Sequence, residues 1–194
     1  MKKLSLYAGI VFVATLLIFS CTGKKTATLI PEKSKKPESV SVIAETLKPL
    51  VVYDSWSGNT KIIAEIIAHE LRCDAVFIAD TKKYDMNAYN LIIIGSPVHS
   101  GMPTNKIKRF LSRVKPPGHS AVFVTYGAPG FGPLTAKACL SYMESKLGGT
   151  CIDRFKCHGF HHILKTYSDH PNTNDAKEAI SFASDLEKRC LERF

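Results

Sequence analysis

The apolar positions of the chain fall into three patterns. Leu4 to Phe19 is one nearly continuous run, broken by Ser5, Gly9 and Thr15 and preceded by Met1-Lys2-Lys3. Thr22 to Lys48 shows no sustained period. From Pro49 onward, short β-rich runs alternate with stretches whose apolar residues recur three and four apart. Leu50-Val51-Val52-Tyr53, Ala75-Val76-Phe77-Ile78, Leu91-Ile92-Ile93-Ile94, Ser120–Tyr126 and Cys151–Cys157 read as five strands. Helical stripes lie between them. Thr60–Leu71 carries Ile62, Ile63, Ile66, Ile67 and Leu71, and Thr104–Val114 carries Ile107, Phe110, Leu111 and Val114. Pro133–Leu147 is a third helix, and Asn172–Phe194 a last one with Ile180, Phe182, Ala183, Leu186 and Leu191.

Strands alternating with helices predict right-handed βαβ units, hence an α/β fold: a three-layer doubly wound sandwich around a five-stranded parallel sheet. The wholly apolar Leu91–Ile94 suits a strand covered on both faces. Ligands of such sheets sit beyond the carboxyl ends of the strands, so the loops after strands one, three and four carry the chemistry.

The N-terminal run has the form of an export signal over residues 1–20: a positive start, a short greasy stretch and small Ser20 before Cys21. It is shorter than the ~20 residues that span a bilayer comfortably. Leu17-Ile18-Phe19-Ser20-Cys21 resembles a bacterial lipobox, with Phe19 departing from the small residue usual there. That resemblance implies an acylated Cys21, a lipidated flexible tether over 21–48, and a domain over 49–194, in an exported, membrane-anchored lipoprotein of the bacterial cell envelope. An uncleaved signal anchor and plain secretion are the alternatives. The tether is rich in Lys, Ser, Thr and Pro, as a solvated linker is.

Charge follows the same division. The chain carries 26 basic against 17 acidic residues, net +9, but from Pro49 onward 18 basic face 14 acidic residues, net +4. The excess therefore lies beside the membrane, where each Lys near anionic lipid adds about 1 kcal/mol. No basic face with interleaved aromatic platforms is evident, which argues against nucleic acid as a partner.

The loop after strand one reads Tyr53-Asp54-Ser55-Trp56-Ser57-Gly58-Asn59-Thr60-Lys61 and runs straight into a helix. Unpaired amides at that helix start can cradle a phosphate without a cation; the plainer reading is a capped turn with no ligand. A Walker A loop and a G-x-G-x-x-G turn are both missing. A phosphoacceptor receiver needs an aspartate after strand three, where this chain has Gly95-Ser96-Pro97.

Val51 to Thr60 resembles the signature of the flavodoxin family: an apolar-apolar-aromatic strand, then x-Ser/Thr-x-x-Gly-x-Thr. The likeness covers roughly residues 49–194 and follows the short-chain form. It implies a flavodoxin-like sheet of order 2-1-3-4-5 and non-covalent FMN. Ser55, Ser57, Asn59 and Thr60 would hold the phosphate, with the backbone at Trp56 and Gly58. Gly95-Ser96-Pro97-Val98-His99-Ser100-Gly101 resembles the family's loop bordering the flavin ring, so Ser96, Pro97, Val98, His99 and Gly101 are candidates. The carbonyl of Gly101 would meet flavin N5. His99 is either a flavin neighbour or a polar loop residue. The run Thr125-Tyr126-Gly127-Ala128-Pro129-Gly130-Phe131 lets backbone approach a flat ring, making Thr125, Tyr126, Gly127, Gly130 and Phe131 candidates. Tyr126 or Phe131 stacks on the ring, or Phe131 staples the next helix; Trp56 covers the ring or packs on the surface.

Cys157, His158, His161, His162 and His170 bunch around one strand end, unlike the two separated ligand pairs of a zinc site, and read as loop residues. Five cysteines besides Cys21 cannot all pair within the chain. No catalytic triad has supporting context, and no catalytic residue is nominated. The resemblance implies an electron-transfer flavoprotein. The alternatives are an FMN-dependent reductase of quinones or nitro compounds using NAD(P)H, and a non-redox lipoprotein with a degenerate flavin site. Flavodoxins are typically acidic, so a +4 domain points to redox protein partners that are themselves acidic.

Overall fold

The computed structural model describes residues 47–192. The expected signal segment, Cys21 and most of the tether lie outside the described residues.

Five strands form the centre: β1 Pro49–Tyr53, β2 Ala75–Phe77, β3 Leu91–Pro97, β4 His119–Tyr126 and β5 Cys151–His158. All neighbours pair in parallel, in the order β2-β1-β3-β4-β5. Four helices connect them: α1 Asn59–Leu71, α2 Asn105–Leu111, α3 Gly132–Leu147 and α4 Thr173–Leu191. The β2–β3 connection carries only the 3₁₀ turns Ile78–Lys83 and Met86–Ala88.

Successive strand residues face opposite sides of the sheet, and the alternation sorts the core into two layers. Val51, Tyr53, Leu91, Ile93, Ala121 and Phe123 pack beneath α1 and α4. Leu50, Val52, Ile92, Ile94, Val122 and Val124 pack beneath α2 and α3. Leu91 to Ile94 are fully buried, each contributing up to about 1.5–3 kcal/mol. The three-layer doubly wound sandwich expected from the pattern is the one observed.

Element ends shift for local reasons. β2 stops at Phe77, because Ile78 opens the 3₁₀ turn. β3 runs past Ile94, pairing Gly95, Ser96 and Pro97 with Phe123, Val124 and Thr125. This extension needs glycine at 95: a Cβ there would lie 2.1 Å from the Phe123 ring. α2 proper closes at Leu111, although the Val114 amide still reaches Phe110 O at 2.9 Å, and Pro116 keeps the chain from continuing as helix beyond Lys115. α4 begins after Asn172, whose side chain accepts from the amides of Asn174 and Asp175 at 2.9 and 3.3 Å. The Asp175 carboxylate returns a 2.8 Å bond to the Asn172 amide, closing a capping box. No helix among the described residues is long and apolar enough to cross a membrane.

Candidate functional site

The β1–α1 loop turns at Gly58, which sits at φ +88°, a left-handed conformation that costs a side chain strain. The Asp54 amide donates to Gly95 O at 3.1 Å, the Ser55 amide to its neighbour Asp54 Oδ1 at 3.1 Å, and the Lys61 amide to Ser55 Oγ at 3.2 Å. Between them, the amides of residues 56–60 have no acceptor among the described residues. Five successive N–H groups without an acceptor among the described residues thus lead into a 13-residue helix, at the end where the helix dipole favours an anion. The neighbouring cation, Lys61, is occupied by Glu65 at 3.7 Å.

The loop's side chains are mostly engaged in holding that cradle open. Asn59 Nδ2 donates to Ser57 Oγ at 3.0 Å and to Phe160 O at 2.9 Å. Thr60 is buried and its hydroxyl shares a 2.8 Å bond with that of Thr125. Asn59 and Thr60 therefore tie the cradle to β5 and β4, while Ser55 and Ser57 keep their hydroxyls at the surface.

After β3, the Val98 amide bonds Thr125 O at 2.9 Å, and His99 and Met102 exchange two 2.9 Å bonds. Ser100 and Gly101 between them have φ of +49° and +78°, the pair of a type I′ turn. Ser96 and Pro97 belong to the strand. The buried Ser96 hydroxyl accepts from the Thr104 amide at 3.1 Å and donates to Pro97 O at 2.9 Å, so it braces the loop. The His99 ring lies against the Trp56 indole, centroids 4.0 Å apart, and Trp56 remains 70% exposed. Burial lowers the His99 pKa, opposed by the charge of Asp54 and helped by His161, so its imidazole is neutral at neutral pH. Its Nε2 is closed to solvent without a partner among the described residues.

Asp54 was passed over in the sequence, where a carboxylate after a strand looks like any loop residue. It is fully buried; one oxygen lies 3.8 Å from Lys106 Nζ, and the other has no partner among the described residues. Asp54, Trp56, His99 and Met102 line a cavity of about 410 Å³ over the ends of β1 and β3.

After β4 the two aromatic candidates differ in burial. Tyr126 is buried, its ring lying where a Cβ on Gly132 would come within 2.9 Å, and its hydroxyl is 3.4 Å from His158 Nε2. That side chain is held between α3 and β5. Phe131 is 77% exposed at the N-cap of α3 and staples nothing. Gly130, at φ +67°, lets the loop turn outward, and Gly127 accepts a 2.6 Å bond from Thr166 Oγ1.

The segment after β5, expected as plain loop, packs against the amide cradle. Phe160 O holds Asn59, and a Cβ on Gly159 would meet Asn59 Nδ2 at 2.7 Å. His158 stacks on Tyr167 at 4.0 Å and meets His170 edge-on at 5.2 Å, while His170 Nδ1 bonds Asp175 at 2.5 Å. The clustered histidines thus form an aromatic stack under the loop. Cys73, Cys139, Cys151, Cys157 and Cys190 form no disulfide. Burial pushes Cys73 and Cys139 up to about 12 and Cys151 to about 11, which leaves them unreactive.

A flavodoxin domain profile matches residues 50–128. The uncharacterized protein MJ0298 of Methanocaldococcus jannaschii is 31% identical over 150 residues, covering 73% of this chain and 99% of its own. The chain belongs to the flavodoxin-like family. Among solved structures, a flavodoxin from the domain Archaea is 20% identical with a TM-score of 0.55, over 74% of this chain and 99% of its own. A short-chain flavodoxin associated with a non-canonical PDU bacterial microcompartment is 17% identical with a TM-score of 0.57, over the same shares. Both share the fold. FMN is the cofactor of this family's site, and the uncharged cradle of five amides fits its phosphate.

Proposed function

We propose that the domain binds FMN non-covalently and works as an electron-transfer flavoprotein, tethered to a membrane of the bacterial cell envelope through Cys21. The observation that carries the reading is the set of five unpaired amides over residues 56–60, beside two loops that leave Trp56, His99 and Phe131 free to border a planar ring. Bound FMN supplies the redox chemistry, accepting and releasing one or two electrons. The chain's own groups do the rest. The amides fix the phosphate, the surface hydroxyls of Ser55 and Ser57 add donors, the type I′ turn at Ser100-Gly101 presents backbone, and Trp56 over His99 shields one side.

Partner docking belongs at the same end of the sheet. Trp56, Phe131, Leu134, Ile163 and Leu164, the exposed large hydrophobics among the described residues, all sit on loops or helix starts that follow the carboxyl ends of strands. An apolar rim on a net +4 domain suits an acidic redox protein.

Three measurements test the reading. Reconstituted protein should show a reduction potential displaced from that of free FMN, and the reduced form should pass electrons to an acidic redox protein with a rate that falls as salt rises. Unshifted potential, or no salt dependence, counts against it. Growth on labelled palmitate should label the chain in cells, and Cys21→Ala should abolish the label.

A further inference from the structure

Between the 3₁₀ turn Ile78–Lys83 and α2 lies a cleft of about 460 Å³. Lys82, Lys106, Arg109 and Arg113 line it, and no acidic residue does. Lys106, Arg109 and Arg113 follow one another at three and four residues along α2 and the turn after it, which puts them on one side of the helix. Lys82 belongs to the opposite wall. Asp80, the acid of that wall, is paired with Lys83 at 2.7 Å, and Lys106 leans on Asp54 at 3.8 Å. Lys82, Arg109 and Arg113 are exposed and have no carboxylate partner among the described residues. Like charges at helical spacing repel, so an anion seated among them relieves a strain that the fold itself leaves in place. Between the cations the lining is apolar: Met86 and Val114 are half-buried and Phe110 is buried.

Cations around an apolar floor fit an anion with an apolar flank. Inorganic phosphate would meet the charge and leave the floor wet. An acidic protein face would meet the rim and leave the recess unfilled. The cleft falls within the ~300–1,000 Å³ usual for small ligands. The headgroup region of an anionic phospholipid offers both parts, a phosphate diester for the guanidinium forks and a glycerol ester with the first acyl carbons for the floor. Its supply is local, because a solvated linker as long as Thr22–Lys48 spans roughly 30 Å. A chain acylated at Cys21 would therefore keep the cleft within reach of the leaflet, and in this respect the inference rests on the proposed anchor.

We propose that the cleft is a second ligand site, for the phosphate and glycerol of an anionic phospholipid. The phosphate lies between Arg109 and Arg113 with Lys82 facing it, and the ester carbons lie on Met86 and Val114. α2 covers one face of the sheet, whereas the amide cradle opens at its carboxyl edge. A domain seated on lipid by this cleft keeps that edge open to a partner.

The test is native mass spectrometry of the full-length chain in neutral detergent, titrated with phosphatidylglycerol and separately with phosphatidylcholine. A single phosphatidylglycerol should be retained, with an affinity about tenfold above that of phosphatidylcholine, whose phosphate is already neutralised by its own cation. Lys82→Gln combined with Arg113→Gln should erase that preference. Neither residue lines the cavity at Asp54, so FMN affinity should not change. Lys137→Gln, which removes an exposed cation from α3, should leave lipid retention as it was. Unchanged thermal melts confirm that the variants are folded. Equal retention of the two lipids, or a preference that survives the double variant, overturns the proposal. So does displacement of the lipid by inorganic phosphate or by polyglutamate at the lipid's own concentration; the first would mark a free-phosphate site, the second an acidic-protein surface. Palmitate labelling of the same chain keeps the two readings apart. A labelled chain without selective lipid overturns the cleft alone, and selective lipid on a chain that takes no label overturns the anchor alone.

Discussion

Thr60 and Thr125 stand 65 positions apart, yet their hydroxyls share a buried 2.8 Å hydrogen bond at the carboxyl end of the sheet. Thr60 lies in the first turn of the helix of the amide cradle; Thr125 is the next-to-last residue of β4, where its carbonyl also receives the Val98 amide. This pair of residues thereby joins all three loops of the site, two by side chains and one by main chain. Replacing either by Val leaves the other hydroxyl buried without a partner, at about 1–2 kcal/mol. The double variant should cost less than the sum, with a coupling near 1 kcal/mol in denaturant unfolding. Strict additivity would show that the bond contributes nothing.

A Gly159→Ala chain should lose FMN affinity through Asn59. The new Cβ would lie 2.7 Å from Asn59 Nδ2, forcing it off Phe160 O and Ser57 Oγ. Overpacking of this kind costs about 1–3 kcal/mol. Adding Asn59→Gly removes the Cβ, Cγ and Nδ2 atoms that the new methyl would meet at 2.9, 2.9 and 2.7 Å, so the double variant should regain thermal stability relative to Gly159→Ala while FMN affinity stays low. Stability unchanged by the second substitution would contradict the contact.

Lys106 is the one cation close to the buried Asp54 carboxylate among the described residues, at 3.8 Å and half exposed. Lys106→Met should destabilise the domain by about 1–2 kcal/mol, discounted for that exposure, because a buried charge is left behind. Asp54→Asn on top of Lys106→Met should restore most of the loss. A double variant less stable than the single would mean that Asp54 is held by something other than charge.

The ordering of the sheet was legible because its evidence is one-dimensional. A run such as Leu91-Ile92-Ile93-Ile94, and stripes three and four apart, report burial directly. The signature Val51 to Thr60 placed the cradle for the same reason: strand, turn and helix start are contiguous. What could not be read was which side chains reach across. The burial of Tyr126 depends on Gly132 and His158, six and 32 positions on. The side chains of Asn59 and Thr60 also tie the loop to Phe160 and Thr125, contacts that no local pattern announces. Asp54 was invisible because burial of a loop carboxylate depends on α2, more than fifty residues away.

Acid should weaken the fold through its histidines. Burial lowers the pKa of His99, and burial together with neighbouring His170 lowers that of His158, against the opposing charge of Asp175. A depressed histidine is neutral in the folded chain, while the unfolded chain takes up its proton near pH 6.5. Stability is thus full above about pH 6.5 and falls below it, until the folded pKa values are passed. The melting temperature should drop between pH 7 and 5, by roughly 2–4 °C for each kcal/mol lost. His158→Phe keeps the stack on Tyr167 and removes one titrating ring, so its profile should be flatter. Equal slopes for the two proteins would exclude His158 as a contributor.

The central claim is that uncharged amides at residues 56–60 hold a phosphate dianion. Parallel fluorescence titrations of the purified protein with FMN and with riboflavin, which differ only in that phosphate, test it most directly. FMN should bind one to one and at least a hundredfold more tightly than riboflavin, with quenched flavin emission. Equal affinities for the two, or no binding of FMN, would contradict the account.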